Sequence, residues 1–198
     1  MTIGNFRPAT VLIDETAILH NVQHEVARLK KKTQLFAVVK ADAYGHGMLR
    51  VARVAKAAGA SGFCVALLDE ALDLRDANFV EPILVLGIVP SQYAAMAAAQ
   101  TISLPISSVE WLEQALPVLE AQPELPPLRI HLALDTGMGR IGFTEDQALL
   151  DALKFIQEHP KQFTVEGIFT HFATADDPDD AYFKQQVAKF NHMVDLLP

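Results

Sequence analysis

The run Ala37-Val38-Val39-Lys40 places an amine at the end of an otherwise apolar, strand-like stretch, Gln34–Lys40. Apolar surroundings penalise an ammonium, so this position favours the neutral amine, the form that condenses with an aldehyde to a Schiff base. The plainer alternative is a lysine whose charged head simply reaches solvent. Tyr44 follows within Ala41-Asp42-Ala43-Tyr44-Gly45-His46-Gly47, whose glycines suit tight backbone geometry beside a ligand or an ordinary turn. Arg140 lies in Thr136-Gly137-Met138-Gly139-Arg140-Ile141-Gly142. A guanidinium in such a strand-end loop can clamp a carboxylate in bidentate geometry, or can be solvated. His171 ends a further apolar run and can act as an acid–base group, pack on a cofactor ring or hold a structural hydrogen bond.

Three other constellations carry less. Gly137, Gly139 and Gly142 spell the dinucleotide fingerprint GxGxxG, with Glu166 as the acidic residue that would meet a ribose. The fingerprint needs a helix opening among the glycines, whereas the next helix is expected near Thr144, and Glu166 falls inside a strand. His20 and His24 are four apart on a helix with no third ligand nearby, so they read as surface histidines and no metal site is expected. Asp176-Asp177-Pro178-Asp179-Asp180 reads as a solvated turn that caps the last helix.

These groups need a scaffold, and the pattern supplies one. Strand-like runs at Gln34–Lys40, Gly62–Leu67, Ile83–Gly87, Thr101–Ile106, Leu128–Asp135 and Thr164–Thr170 alternate with helix-like stretches. The helices are expected at about Gly47–Ala58, Asp69–Ala77, Ser91–Ala99, Ser108–Glu120, Glu145–Glu158 and Asp180–Leu197, with an additional early one over Thr16–Lys32. Such alternation implies crossover units and a parallel sheet, hence an α/β fold. Functional groups then collect at the C-terminal ends of the strands, where Lys40, Arg140 and His171 all fall. In the fifth strand Arg129, His131, Ala133 and Asp135 alternate with aliphatic residues, which suits a barrel interior near a site better than a plain core. About six units fit either a doubly wound sheet or six-eighths of a (β/α)8 barrel. The chain stops at Leu196-Leu197-Pro198, where a seventh strand would begin, and so reads as cut.

A chain of 198 residues, 51% hydrophobic and 20% charged, is long enough to bury a sizeable core. Its formal net charge of −8 disfavours a nucleic-acid backbone as partner. The basic run Arg28–Lys32 fits a helix C-terminus. The lone cysteine, Cys64, reads as an inert strand thiol. Met1–Pro8 lacks the character of a signal peptide and no apolar run spans a bilayer, so the default expectation is a cytoplasmic protein without membrane partners.

Taken together, these residues resemble the bacterial alanine racemases. The resemblance rests on Ala37–Gly47, on Leu134-Asp135-Thr136-Gly137-Met138-Gly139-Arg140-Ile141-Gly142 and on Thr170-His171-Phe172-Ala173-Thr174-Ala175-Asp176, in that order. Val65–Ala71 and Pro82–Gly87 are also similar, and the likeness covers nearly the whole chain. It implies a TIM-type (β/α)8 barrel over residues 1–198 with about six of eight units present, and no C-terminal β domain. It implies pyridoxal 5′-phosphate as cofactor, held by Lys40 as an aldimine, with Tyr44 on its phosphate and His171 beside its ring. Arg140 would contact the carboxylate of alanine, and L- and D-alanine would interconvert through a carbanion, supplying D-alanine for peptidoglycan. Lys40 would serve one face of that carbanion and a tyrosine from the partner of a head-to-tail homodimer the other. This chain alone is therefore expected to racemise little. A pyridoxal-phosphate barrel protein of cofactor homeostasis and a nicotinamide-binding doubly wound domain are the alternatives.

One position departs from the family pattern. Many members carry a lysine where Ala133 stands, and its carbamate orients the arginine matching Arg140. Alanine has no amine to carbamylate, so the arginine must be fixed by other means.

Overall fold

Asp14 opens the first helix: its Oδ1 accepts the backbone N–H groups of Thr16 (2.9 Å) and Ala17 (3.1 Å), two donors with no partner inside the helix. This helix begins the computed structural model, which describes residues 10–197. The N-terminal reading at Met1–Pro8 and the terminus at Pro198 lie outside the described residues. The chain divides into two units between Phe63 and Cys64.

In the first unit α1 (Glu15–Arg28) precedes β1 (Phe36–Val38), a single helical turn α2 (Lys40–Gly45) and α3 (Met48–Ala57). The two longer helices pack together, with Glu15 reaching Arg50 at 3.3 Å. Arg28 sits in the last turn of α1, where a cation suits the exposed carbonyls. His20 and His24 are exposed on α1. The start of β2 (Gly62–Val65) lies alongside β1, where Ser61 N–H donates to Leu35 O at 2.8 Å.

The second unit takes up the end of β2 and continues with α4 (Leu68–Asp76), β3 (Ile83–Val85), a 3-10 turn at Ser91–Tyr93 and α5 (Ala94–Ala99). β4 (Leu104–Ile106), α6 (Val109–Glu120), β5 (Leu128–Ala133), α7 (Asp146–Glu158), β6 (Phe163–Phe169) and α8 (Ala181–Val194) follow. Within this unit every strand lies beside the next in sequence. Leu86 N–H donates to Val65 O, Leu84 bridges Ser103 in parallel, and β4 pairs β5 and β5 pairs β6 in parallel register. A doubly wound sheet reverses its order at a switch point, and no reversal occurs here. Stepwise order is the connectivity of a barrel.

Parallel strands covered on both faces read as continuous apolar runs, and β3 and β4 are buried throughout. β5 shows the expected two-residue period: Leu128, Ile130 and Leu132 are fully buried, whereas Arg129 and His131 face the other side. Cys64 is buried in β2, and desolvation pushes its thiol up to about 11, which keeps it protonated and inert. Among the described residues no helix is long and apolar enough to cross a membrane.

Helix ends follow the sequence with small differences. Ser108 Oγ accepts Trp111 N–H (3.3 Å), α7 stops before Pro160, and Asp179 Oδ1 accepts Ala181 N–H (3.0 Å) at the start of α8. The residue before α7 is Glu145 rather than Thr144, and α8 ends at Val194, short of Leu197.

The loops at the opposite end from the strand C-termini depend on Arg75. Its guanidinium donates to the carbonyls of Gln100 (2.9 Å), Phe79 (2.7 Å), Glu81 (2.9 Å) and Thr101 (2.9 Å). Removing it leaves four backbone acceptors without this donor. Arg75→Ala is expected to lower the unfolding free energy by about 2–3 kcal/mol, measured by urea denaturation. Arg75→Lys should recover only part of that, because one ammonium cannot span four carbonyls.

Candidate functional site

Lys40 does not end a strand. β1 stops at Val38, and Lys40 opens α2, whose next four residues are all left-handed: Ala41 (φ 52°, ψ 51°), Asp42 (54°, 42°), Ala43 (51°, 48°) and Tyr44 (55°, 36°). L-residues pay roughly 1–2 kcal/mol each for this conformation, and it is normally seen as single residues, most often glycine. Four consecutive non-glycine residues therefore represent stored strain, of the kind that concentrates at ligand sites.

The surrounding chain holds the turn closed. Ala43 N–H donates to Val39 O (2.9 Å) and Gly47 N–H to Asp42 O (2.9 Å). Asp42 Oδ1 accepts the N–H of Met48 at 2.7 Å, which also satisfies a free donor of α3. Val39 and Ala43 are buried beneath, His46 Nδ1 lies 3.0 Å from Ala43 O, and Tyr44 is 62% exposed. Lys40, half-buried, and Tyr44 thus stand about one turn apart on one short element, presenting an amine and a phenol.

In the second unit the loop after β5 is wrapped around a carboxylate. Asp135, almost fully buried, accepts Gly137 N–H (3.0 Å) and Gly139 N–H (3.0 Å) on Oδ1 and Arg140 N–H (2.8 Å) on Oδ2. Burial pushes the Asp135 carboxyl upward, but the N–H groups of Gly139, Gly137 and Arg140, with the Lys189 charge, outweigh it. The net position is below the usual carboxylate range. The chain then doubles back: Phe143 N–H donates to Ala133 O (2.8 Å) and Asp135 N–H to Phe143 O (2.9 Å). Gly142 makes this return possible. At φ +132°, a Cβ there would stand 2.3 Å from Asp135 N and 2.6 Å from the Leu134 carbonyl carbon.

With alanine at position 133, the contact that holds Arg140 is made to its backbone, by Asp135. Its side chain is exposed, and among the described residues no carboxylate pairs with it. The dinucleotide reading fails on the same geometry. The glycines enclose Asp135, and α7 opens at Asp146, four residues past Gly142.

His171 lies two residues beyond β6, exposed, on a turn tied to the Arg140 loop. Thr136 Oγ1 and Thr170 Oγ1 are 2.8 Å apart, and Thr170 Oγ1 donates to Leu134 O (2.8 Å). Gln186 on α8 bridges both segments, and Tyr182 Oη donates to Gly137 O at 2.6 Å. Sequence reading placed Asp135 on the polar face of the fifth strand but missed its grip on the loop, and missed Tyr182 and Gln186 altogether. The grip was findable, since Asp followed two residues on by Gly signals a side chain bonding its own backbone.

Glu166 is not a ribose contact either. The β5–β6 register passes from Ile130↔Val165 to His131↔Gly167, so Glu166 is the extra residue of a β-bulge. Its carboxylate meets the Ser103 hydroxyl, Arg129 (3.0 Å) and His131 (3.4 Å). Burial raises the Glu166 carboxyl, but Ser103, Arg129 and His131 together bring it below its usual range; burial lowers His131, against Glu166.

His131, Asp135 and Glu166 all shift in one direction. A depressed folded-state pKa means the unfolded chain binds more protons, so stability is present above the unfolded value and lost as pH falls. His131 starts this loss below about 6.5, and Asp135 and Glu166 add to it below about 4. The denaturant midpoint should fall steadily between about pH 7 and 3. A flat midpoint would contradict these assignments.

Known proteins similar to this chain point to one family. The family profile "Alanine racemase, N-terminal domain" matches residues 13–198. An alanine racemase of Lacticaseibacillus casei (strain BL23) is 86% identical over 198 residues, covering 100% of this chain and 52% of that protein. Among solved structures, alanine racemase from E. faecalis superposes with a TM-score of 0.94 at 48% identity, over 100% of this chain and 53% of the other. Alanine racemase from Bacillus anthracis with bound L-Ala-P gives 0.88 at 38% identity, over 93% and 47%. The chain spans about half the length of the relatives it matches. Its fold is the α/β, TIM-type barrel of that domain with about six of the eight strand–helix units present. On profile, identity and superposition alike, the chain belongs to the alanine racemase N-terminal domain family.

Proposed function

We propose that this chain is the cofactor-holding barrel part of a pyridoxal-phosphate-dependent alanine racemase. The observation that carries the reading is the strained left-handed turn headed by Lys40, within a chain 86% identical to an alanine racemase. The residues suit the cofactor. Lys40 offers an amine for its aldehyde, and Tyr44, on the same turn, offers an exposed phenol for its phosphate. His171 stands at a strand end, where it would lie beside the ring. When bound, pyridoxal phosphate supplies an electron sink for bonds at the substrate α-carbon.

The chain's own groups bind, orient and move a proton. Arg140, its backbone fixed by Asp135, offers an exposed guanidinium to the substrate carboxylate in bidentate geometry. The Lys40 amine holds and returns the α-proton on one face. Racemisation also requires a proton at the opposite face, so a second acid–base group must come from outside these residues. On the family pattern that group belongs to the partner of a cytoplasmic homodimer, on a C-terminal β domain, and the product serves peptidoglycan synthesis. Identity along the whole chain to alanine racemases favours this over a homeostasis barrel.

The test is a pyridoxal phosphate titration followed by alanine. A saturable visible absorbance should appear, and alanine should perturb it. Arg140→Ala should leave the absorbance but raise the alanine needed by roughly tenfold or more, the worth of one charge-assisted contact of about 1.5–3 kcal/mol. An unaltered alanine response in Arg140→Ala would overturn its assigned role.

A further inference from the structure

We infer that Gln186 and Tyr182 of α8 are positioning residues that lock the Arg140 loop to the His171 turn, so that the carboxylate-binding and ring-facing groups are held as one unit. The inference rests on the roles proposed above for Arg140 and His171, and adds residues that neither the sequence reading nor the comparisons assign.

Gln186 is 0% exposed, an unusual place for a polar side chain on a surface helix. Both its donors and its acceptor are engaged. Nε2 donates to Thr136 Oγ1 (3.1 Å) and to His171 O (3.2 Å), while Oε1 accepts Ala173 N–H (2.8 Å). One of these partners is the His171 carbonyl, one lies two residues beyond it at Ala173, and the third, Thr136, opens the Arg140 loop. An apolar side chain would fill the same space without the cost of burying an amide, so what the amide adds is a fixed relation between the two segments. Four residues earlier, and so on the same face of α8, Tyr182 donates its hydroxyl to Gly137 O at 2.6 Å. That bond holds the Arg140 loop by a carbonyl, where Asp135 holds it by N–H groups. The side chains of Arg140 and His171 are themselves exposed, so each is placed by its segment, and α8 bonds the His171 carbonyl and, through Gly137 O and the Thr136 hydroxyl, the loop that carries Arg140.

Gln186→Glu tests this with little change of shape. The carboxylate still accepts from Ala173 N–H but loses both donations and faces the His171 carbonyl. Amide hydrogen exchange on the 198-residue chain should rise about tenfold in both segments together, at 136–140 and at 171–174, with the strands unchanged. Tyr182→Phe, a milder change at a half-exposed ring, should accelerate 136–140 more than 171–174 and keeps the test open if Gln186→Glu does not fold. With pyridoxal phosphate present, Gln186→Glu should also need about tenfold more alanine to perturb the visible absorbance. Exchange that is unchanged, uniform over the chain, or raised in only one segment of Gln186→Glu would overturn the coupling. Absence of any absorbance in the unsubstituted chain would instead sink the proposed function, while exchange would still decide the coupling.

Discussion

Lys40→Ala is expected to abolish the visible absorbance that pyridoxal phosphate develops with this chain. The substitution removes the one nitrogen placed at the head of the left-handed turn while leaving Val39 and Ala43 buried beneath it. Phosphate contacts and ring packing would remain, so residual binding should persist. Its affinity should fall on the order of a hundredfold, about 2.8 kcal/mol, because the covalent link contributes nothing to the variant. Lys40→Arg should not rescue, since a guanidinium stays protonated and does not condense with aldehydes. The thermal midpoint of Lys40→Ala should stay close to that of the parent, because a half-buried side chain at a turn contributes little packing. An absorbance of ordinary strength in Lys40→Ala would place the reactive amine elsewhere.

Gly142→Ala should be the most damaging single substitution to the fold of the site. Two costs combine there. An L-residue is strained at φ +132°, and its Cβ would overlap backbone atoms of Leu134 and Asp135 that cannot move without breaking the Phe143–Ala133 and Asp135–Phe143 bonds. Strain of about 1–3 kcal/mol and overpacking of similar size give roughly 3–5 kcal/mol together. For a chain of this size that corresponds to a fall in melting temperature of about 10 °C. Gly139→Ala is the control: φ is +72° but nothing lies within 4 Å, so it should cost only about 1 kcal/mol. Equal effects at the two glycines would contradict this account of the loop.

Much of the scaffold was legible before any coordinates. Apolar strand runs separated by amphipathic stretches specify alternating elements, and each expected strand and helix is present within a few residues. The sequence left the architecture open between barrel and doubly wound sheet. Periodicity reports which face of an element is apolar but not which strand lies beside which; that came from the stepwise pairing of β3 to β6. Of the candidate site, Lys40, Arg140 and His171 were legible as residue types near strand ends, and Tyr44 as a residue of the segment after the first strand. The left-handed turn was not, because Ala41, Asp42, Ala43 and Tyr44 have no propensity for it. Hydrogen bonds that tie Ala43 to Val39 and Asp42 to Gly47 and Met48 hold it from outside. Gln186 was invisible for a related reason. A glutamine on an amphipathic helix reads as a solvent-facing residue until the loops it buries against are known.

The central claim concerns a single nitrogen, and trapping it chemically tests that claim most directly. The chain would be incubated with pyridoxal phosphate, reduced with borohydride, digested and mapped by mass spectrometry. The account predicts near-stoichiometric pyridoxyl modification on the peptide containing Lys40, and little on Lys30, Lys31 or Lys32, which also carry amines a few residues earlier. Modification spread over those lysines, with Lys40 unmodified, would contradict it.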